Sequence, residues 1–421
     1  LKLNKNILVI TYFFPPLGGV GVQRVSKLCR YLPQFGYDPI VIAPQPSAFY
    51  MSDEDMLKEV RHVSLYRVAG IDSFKLREKL GGSFKPRIDS PLRWLSRRFS
   101  WPDTQTGFMP AAYGLARKLI KKVDAVFITA PPYSNLLLVP RLKRIGGIPV
   151  IIDMRDPWVN HPVHGKLRWK RALNRRAERT AVELADAVLL ATKAHLKDMV
   201  ERYPYLASRF HYIPNGFDPG DFPKSAKRQS RRLRPLTVCY TGVLGLDTIN
   251  RGTTLYSALR KLRDESNLTP KRLKVDIMGE VSSVEQERIR RSGVSTFINQ
   301  LGHIPHRKAM QRLAKADLAW LPYHSAYSEL IVPAKTYEYI GSGTPILAVI
   351  NPHHEAAKLV RDTGTGLTLY EDDVDAVASA LLKLLAGNYP YKPDWKRISQ
   401  FSRRFQAKQL AEIIDELTKH N

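Results

Sequence analysis

The feature that most constrains this chain is an alternation. Strand-length apolar runs (Ile7–Ile10, Ile148–Ile152, Ala187–Ala191, Ile346–Ile350) recur along it, and turns and stretches of helical periodicity lie between them. Repeated βα units of this kind call for an α/β fold built on parallel sheets. The alternation pauses in the basic, polar stretch 224–234, which Pro235 closes, and then restarts at Thr237. The expectation is therefore two doubly wound domains facing a cleft, 1–222 and 223–394, with a C-terminal helix, 395–421, crossing back to the first. A length of 421 residues agrees, at about 150 residues per domain.

The second half contains the stretch Pro333–Val349, PAKTYEYIGSGTPILAV, around which function is best organised. Pro333 suits a first helical position, Gly341 and Gly343 end the helix, Pro345 prevents its return, and ILAV continues as a strand. Lys335, Glu338 and Tyr339 share one face by the i, i+3, i+4 spacing. A helix start gathers free N–H groups and partial positive charge, so it seats a diphosphate, and Lys335 adds a full charge. Glu338 accepts hydrogen bonds only, which suits the vicinal hydroxyls of a ribose. The competing reading is an ordinary αβ unit with an exposed lysine and glutamate.

Three other segments carry chemistry. Gly18, Gly19 and Gly21 lie between the strand Lys5–Thr11 and a helix with the apolar face Val22, Val25, Leu28, Cys29 and Leu32. Their backbone can approach a phosphate or sugar closely. The spacing is not the dinucleotide fingerprint, and no acidic residue ends the strand Asp38–Pro44. The segment PVIIDMRDPW puts Asp153, Arg155 and Asp156 at the carboxyl end of a strand, where open α/β sheets bind ligands. Such a cluster either works on a substrate or forms a structural Arg–Asp clamp. The segment HYIPNGFD, His211–Asp218, precedes the linker.

The pattern P-x-K-x-[YF]-E-Y-x-x-x-G-x-P-I-L-A resembles the donor-nucleotide segment of the retaining glycosyltransferases of family 4, bacterial cell-surface polysaccharide type. These have two Rossmann-like domains, the B-type (GT-B) architecture. The resemblance extends over Gly18–Gly21, Asp153–Trp158, Pro214–Asp218, Gly242–Gly252, Gly302–Pro305 and Pro333–Pro345, in that order. It implies a hexosyltransferase-like enzyme in which Asp153, Arg155 and Asp156 stand beside the transferred sugar as the catalytic group. Gly19 and Gly21 would shape the loop near diphosphate and acceptor. Arg251 and Lys335 would meet the phosphates, Gly242 would belong to the donor site, His303 and Ile304 would border the base, and Glu338 would bind the ribose. The family's first glutamate, eight residues ahead of the second, is replaced by Leu330, and a basic residue usual in the Gly242–Leu246 turn is missing.

The chemistry implied is retaining transfer from a nucleotide-diphosphate sugar to the hydroxyl of a lipid-linked or cell-surface glycan. No cofactor or metal is expected, because cationic side chains and backbone dipoles can neutralise the leaving group. Asp373-Val374-Asp375 is formally a DxD but reads as a helix start.

The net charge of +27 admits an anionic membrane surface, a nucleic acid or mere solubility. Basic clusters lie at Lys85–Arg98, Lys166–Arg179 and Lys224–Arg234. No specific nucleic acid is expected, since no binding motif appears. No apolar run reaches the roughly 18–20 residues of a membrane span, and the opening LKLNKNILVITYFFPPLGG reads as a first strand and loop rather than a signal peptide. The two cysteines, Cys29 and Cys239, make no disulfide framework, which favours a cytoplasmic protein, peripheral on the inner face of the plasma membrane at most. The alternatives are a non-catalytic nucleotide-sugar-binding subunit, a sugar-nucleotide epimerase on the same fold, and a basic nucleic-acid-binding protein.

Overall fold

The computed structural model describes residues 4–45, 53–70, 100–161, 167–223, 235–245, 250–324 and 329–419. The basic stretches 85–98 and 224–234, and Lys166, fall outside these residues.

The chain divides into two compact units. The first comprises Leu1–Asn215 with Arg403–Asn421, and the second Gly216–Ser402. The division falls at the Pro-Asn-Gly of the HYIPNGFD segment, ahead of the 224–234 stretch.

The first unit is a parallel sheet in the order β3-β2-β1-β4-β5-β6-β7. Its strands are β1 (Lys5–Ile10), β2 (Tyr37–Pro44), β3 (Ser64–Val68), β4 (Ala125–Ala130), β5 (Val150–Met154), β6 (Ala187–Leu190) and β7 (Phe210–Tyr212). β4, β5 and β6 are buried along their whole length, as unbroken apolar runs with helices on both sheet faces require. β3 lies in a stretch where the sequence shows no strand-length apolar run. It pairs with β2 as an edge strand, and its residues alternate between exposed and half-buried, so no apolar run marks it.

The helix Val20–Tyr31 carries Val25, Leu28 and Cys29 into a core that also holds Ala407, Leu410, Ile413 and Ile414 of the C-terminal helix Arg403–Lys419. The C-terminal helix, expected as one over 395–421, is two, Trp395–Ser399 and Arg403–Lys419, and the units divide between them. The connection from β4 to β5 carries only a short helix. A 3-10 turn, Tyr133–Leu138, precedes the helix Val139–Lys143, with Pro140 at its start.

The second unit is a parallel sheet in the order β10-β9-β8-β11-β12-β13. Its strands are β8 (Leu236–Thr241), β9 (Leu273–Met278), β10 (Ile298–Gly302), β11 (Leu318–Pro322), β12 (Ile346–Val349) and β13 (Gly366–Leu369). The strand order reverses between β8 and β11, and open α/β sheets bind ligands at such a switch point, outside the carboxyl ends of the strands. Pro333 is the cap of its helix rather than its first residue, and the helix runs Ala334–Ser342. Gly341 lies inside it, because a Cβ there would come within 2.3 Å of the Phe217 ring. Gly343, at φ 74°, makes the stop.

Candidate functional site

In the second unit the carboxyl ends of β8 and β9 are packed backbone to backbone. Gly242 (φ 101°) donates from its N–H to Met278 O at 2.8 Å. A Cβ on Gly279 would lie 2.1 Å from Gly242 O, so only glycine fits. Over this turn stands Lys335, whose Nζ would be 3.2 Å from a Cβ on Gly242.

Lys335 Nζ donates to Tyr240 Oη at 2.6 Å and lies 4.0 Å from the centroid of that ring. Burial pushes its pKa down to about 7, against the pull of the Glu338 charge. No side chain caps the helix at Pro333; the Thr336 N–H donates to Pro333 O at 2.9 Å, and the N–H groups ahead of it at the helix start have no side-chain cap.

Glu338 is buried, and its Oε1 lies 3.0 Å from Nε2 of His306. The other ring nitrogen, Nδ1, is 3.8 Å from Oδ2 of the buried Asp221. His306 thus spans two carboxylates and sets the direction of Glu338. Ile304, just ahead of it, packs on the core under the Ala334–Ser342 helix, while His303 is exposed.

Arg251 is placed by the turn that begins the helix Thr253–Ser266. Glu285, fully buried, accepts from Gly252 N at 2.7 Å and from Tyr256 Oη at 2.9 Å. Arg251 Nε is buried without a hydrogen-bond partner, and the residue lines a cavity at the carboxyl ends of β11 to β13.

In the first unit, Asp153 and Arg155 are placed differently from the expectation. Asp153 is fully buried at the end of β5 and accepts from Arg24 Nη2 at 2.8 Å, Arg24 Nε at 3.1 Å and Thr129 Oγ1 at 3.0 Å. Arg24, also buried, continues to the carbonyls of Ile213 and Pro214 at 2.9 and 2.6 Å. Asp153 is therefore the centre of a clamp joining β4, β5, the first helix and the Pro-Asn-Gly segment. It has no face left for a substrate, and the catalytic role expected of it is withdrawn.

Arg155 is a positioning residue too. Its guanidinium donates to the carbonyls of Gly21, Ala130 and Pro131. Burial lowers its pKa, and the charges of Asp153 and Asp156 oppose that. The glycine turn, with Gly19 at φ 95° as helix cap and Gly21 in the first turn, is thus tied to the end of β4. Asp156, half-buried, is the one member of the trio with an open side. Trp158 stacks on Tyr133 with ring centroids 5.2 Å apart, anchoring the DPW turn.

The sequence reading missed Arg24, His306, Asp221 and Tyr240. Arg24 could have been noticed as one of two cations, with Lys27, among residues 22–29, all of which are buried. The partners of His306 are far apart in sequence and leave no local signal. The DxD reading as a helix start agrees with the geometry. Asp373 Oδ1 accepts from Ala376 N at 2.8 Å, and Asp375 pairs with Lys261 at 2.6 Å.

Residues 17–221 match the family described as Glycosyltransferase Family 4, and residues 235–387 match that described as Glycosyl transferases group 1. The chain belongs to the glycosyltransferases of B-type fold, with a family 4 first half and a group 1 second half. No curated protein matches the sequence significantly. Among solved structures it is similar to sucrose-phosphate synthase from Thermosynechococcus elongatus, at 15% identity and TM-score 0.64 over 99% of this chain and 100% of that one. Anabaena Alr3699/HepE, solved with UDP, is 14% identical with TM-score 0.62 over 98% and 100%. WaaG, a glycosyltransferase involved in lipopolysaccharide biosynthesis, is 14% identical with TM-score 0.56 over 98% and 99%.

Proposed function

We propose that this glycosyltransferase moves a hexose-type sugar from a nucleoside-diphosphate donor to an acceptor hydroxyl, with retention of configuration and without a metal. The observation that carries this reading is the pairing of Lys335 and Glu338 on one helix whose start no side chain caps. The uncapped N–H groups and the Lys335 ammonium suit a diphosphate. Glu338, held by His306, suits ribose hydroxyls.

As the bond from the anomeric carbon to the leaving oxygen breaks, charge gathers on the β-phosphate. Lys335, Arg251 and the helix dipole are fixed groups that stabilise it without reorganising. Asp153, locked to Arg24, is not available as a nucleophile, which accords with front-face attack by the acceptor oxygen. Gly19, Gly21 and Asp156 are the residues of that unit proposed to border the acceptor. The UDP bound by Alr3699/HepE supports a nucleotide donor.

The acceptor we favour is a lipid-linked or cell-surface glycan, met at an anionic membrane. The helix Arg168–Leu184 exposes Trp169 and Leu173 beside Arg168, Arg171, Arg175 and Arg176, a combination suited to lipid headgroups. Among the described residues no helix is long and apolar enough to cross a membrane.

The test is turnover of a nucleotide-sugar panel in excess chelator, with the product anomer read by NMR. Unchanged turnover and an anomer matching the donor's bear out the reading. An inverted product, or complete and metal-reversible loss, overturns it. For the membrane, liposomes containing anionic lipid should float the protein, and Arg171→Glu with Arg175→Glu should abolish flotation. Unchanged flotation removes this surface.

A further inference from the structure

The residues fitted to nucleotide and diphosphate occupy one side of the second sheet's carboxyl edge: Ile304 past β10, Gly242 past β8, and Lys335 and Glu338 on the helix between β11 and β12. The other side of that edge, over β11, β12 and β13, holds a cavity of about 450 Å³, which of the residues given a donor role above Arg251 alone lines. Its size falls within the roughly 300–1,000 Å³ of small-molecule sites.

Its walls have opposite charge. On the side of the strand reversal stand Arg251, with its unpartnered buried Nε, and the start of the helix Thr253–Ser266, which no side chain caps. On the far side stand His324, Asn351 and Glu371, each two residues past the end of its strand, with Asp372 beside them. The Glu371 carboxylate ties these ends together. One oxygen lies 3.3 Å from His324 Nδ1, and the other accepts from Asn351 N at 3.3 Å. The Glu371 carbonyl accepts from Thr254 Oγ1, which joins the far wall to the near one.

A sugar diphosphate has the same polarity, anionic at one end and hydroxyl-rich at the other. We propose that this cavity receives the sugar of the donor, with Arg251 at the phosphate end and the His324–Glu371 pair at the hydroxyls, and that it selects a neutral sugar over a uronic acid. The selection follows from charge, since a sugar carboxylate would stand against Glu371 and Asp372 in a partly buried site. The inference rests on the nucleotide-diphosphate reading above.

Calorimetric titration with UDP, UDP-glucose and UDP-glucuronate tests it, or with the matching trio (GDP, GDP-mannose, GDP-mannuronate) if guanine is the base recognised. The expected result is that the diphosphate and the neutral conjugate bind, the uronate conjugate binds about tenfold or more weaker, and Glu371→Gln narrows that ratio. Asp372→Asn, at an exposed position where folding is not at risk, should narrow it as well. If the uronate binds as well as the neutral sugar, or the ratio is unmoved in both variants, the cavity proposal is overturned while the donor reading stands. If no nucleoside diphosphate of any base binds, the donor reading fails and takes this inference with it.

Discussion

Lys335 is the residue whose chemistry can be followed most directly with pH. A lysine whose pKa is lowered to about 7 is charged below that value and neutral above it, although in the unfolded chain it stays charged to about 10.4. Binding a diphosphate requires the charged form. Donor affinity should therefore fall by up to about tenfold per pH unit above 7, and Lys335→Met should flatten the profile as well as weaken binding. The fold bears the full desolvation of the ammonium at pH 7 and below, and is relieved of it as pH rises toward the unfolded value. Lys335→Met should accordingly melt no lower than the parent at pH 7. A melting point several degrees lower would mean that the lysine is a structural tether to Tyr240.

Arg24 and Asp153 make the opposite case. Removing the cation from a fully buried pair leaves an uncompensated carboxylate, so Arg24→Met should cost about 3–5 kcal/mol in urea unfolding. Adding Asp153→Leu should recover much of that. Equal loss in the single and double variants would contradict the clamp.

At the scale of the element, much was legible in the chain because local chemistry and tertiary demand coincide. The run Val150–Met154 is a strand because it is buried on both faces, and Lys335 and Glu338 are side by side because helical spacing puts them there. What could not be read was the far end of each interaction. The Asp-Arg-Asp cluster looked catalytic because charges at a strand's end so often are, but the partner of Asp153 lies on a different helix. Gly341 looked like a helix stop, whereas its hydrogen atom is needed for Phe217, more than a hundred positions earlier. Gly341→Ala should therefore destabilise by about 1–3 kcal/mol, although alanine is the better helix former, and Phe217→Leu should restore part of it. A neutral or stabilising effect on thermal unfolding would return Gly341 to the role of a plain terminator.

At the scale of the whole molecule, the chain leaves its first unit at Asn215 and returns to it at Arg403. The returning helix buries Leu410, Ile413 and Ile414 in the core that also holds Val25 and Leu28. Removing such a face costs roughly 1.5–3 kcal/mol per large aliphatic side chain. A chain cut after Ser402 should thus show the first unit's calorimetric transition lowered by about 10 °C or more. An unchanged transition would make the helix an ornament of the fold.

The central claim is that the second unit holds a nucleoside diphosphate through Lys335 and Glu338. Isothermal titration with nucleoside diphosphates, of the parent and of Lys335→Met and Glu338→Ala, tests it most directly. The account predicts saturable binding by the parent for at least one base, and at least tenfold weaker binding by each variant at unchanged melting temperature. Binding of equal strength in all three proteins would contradict it.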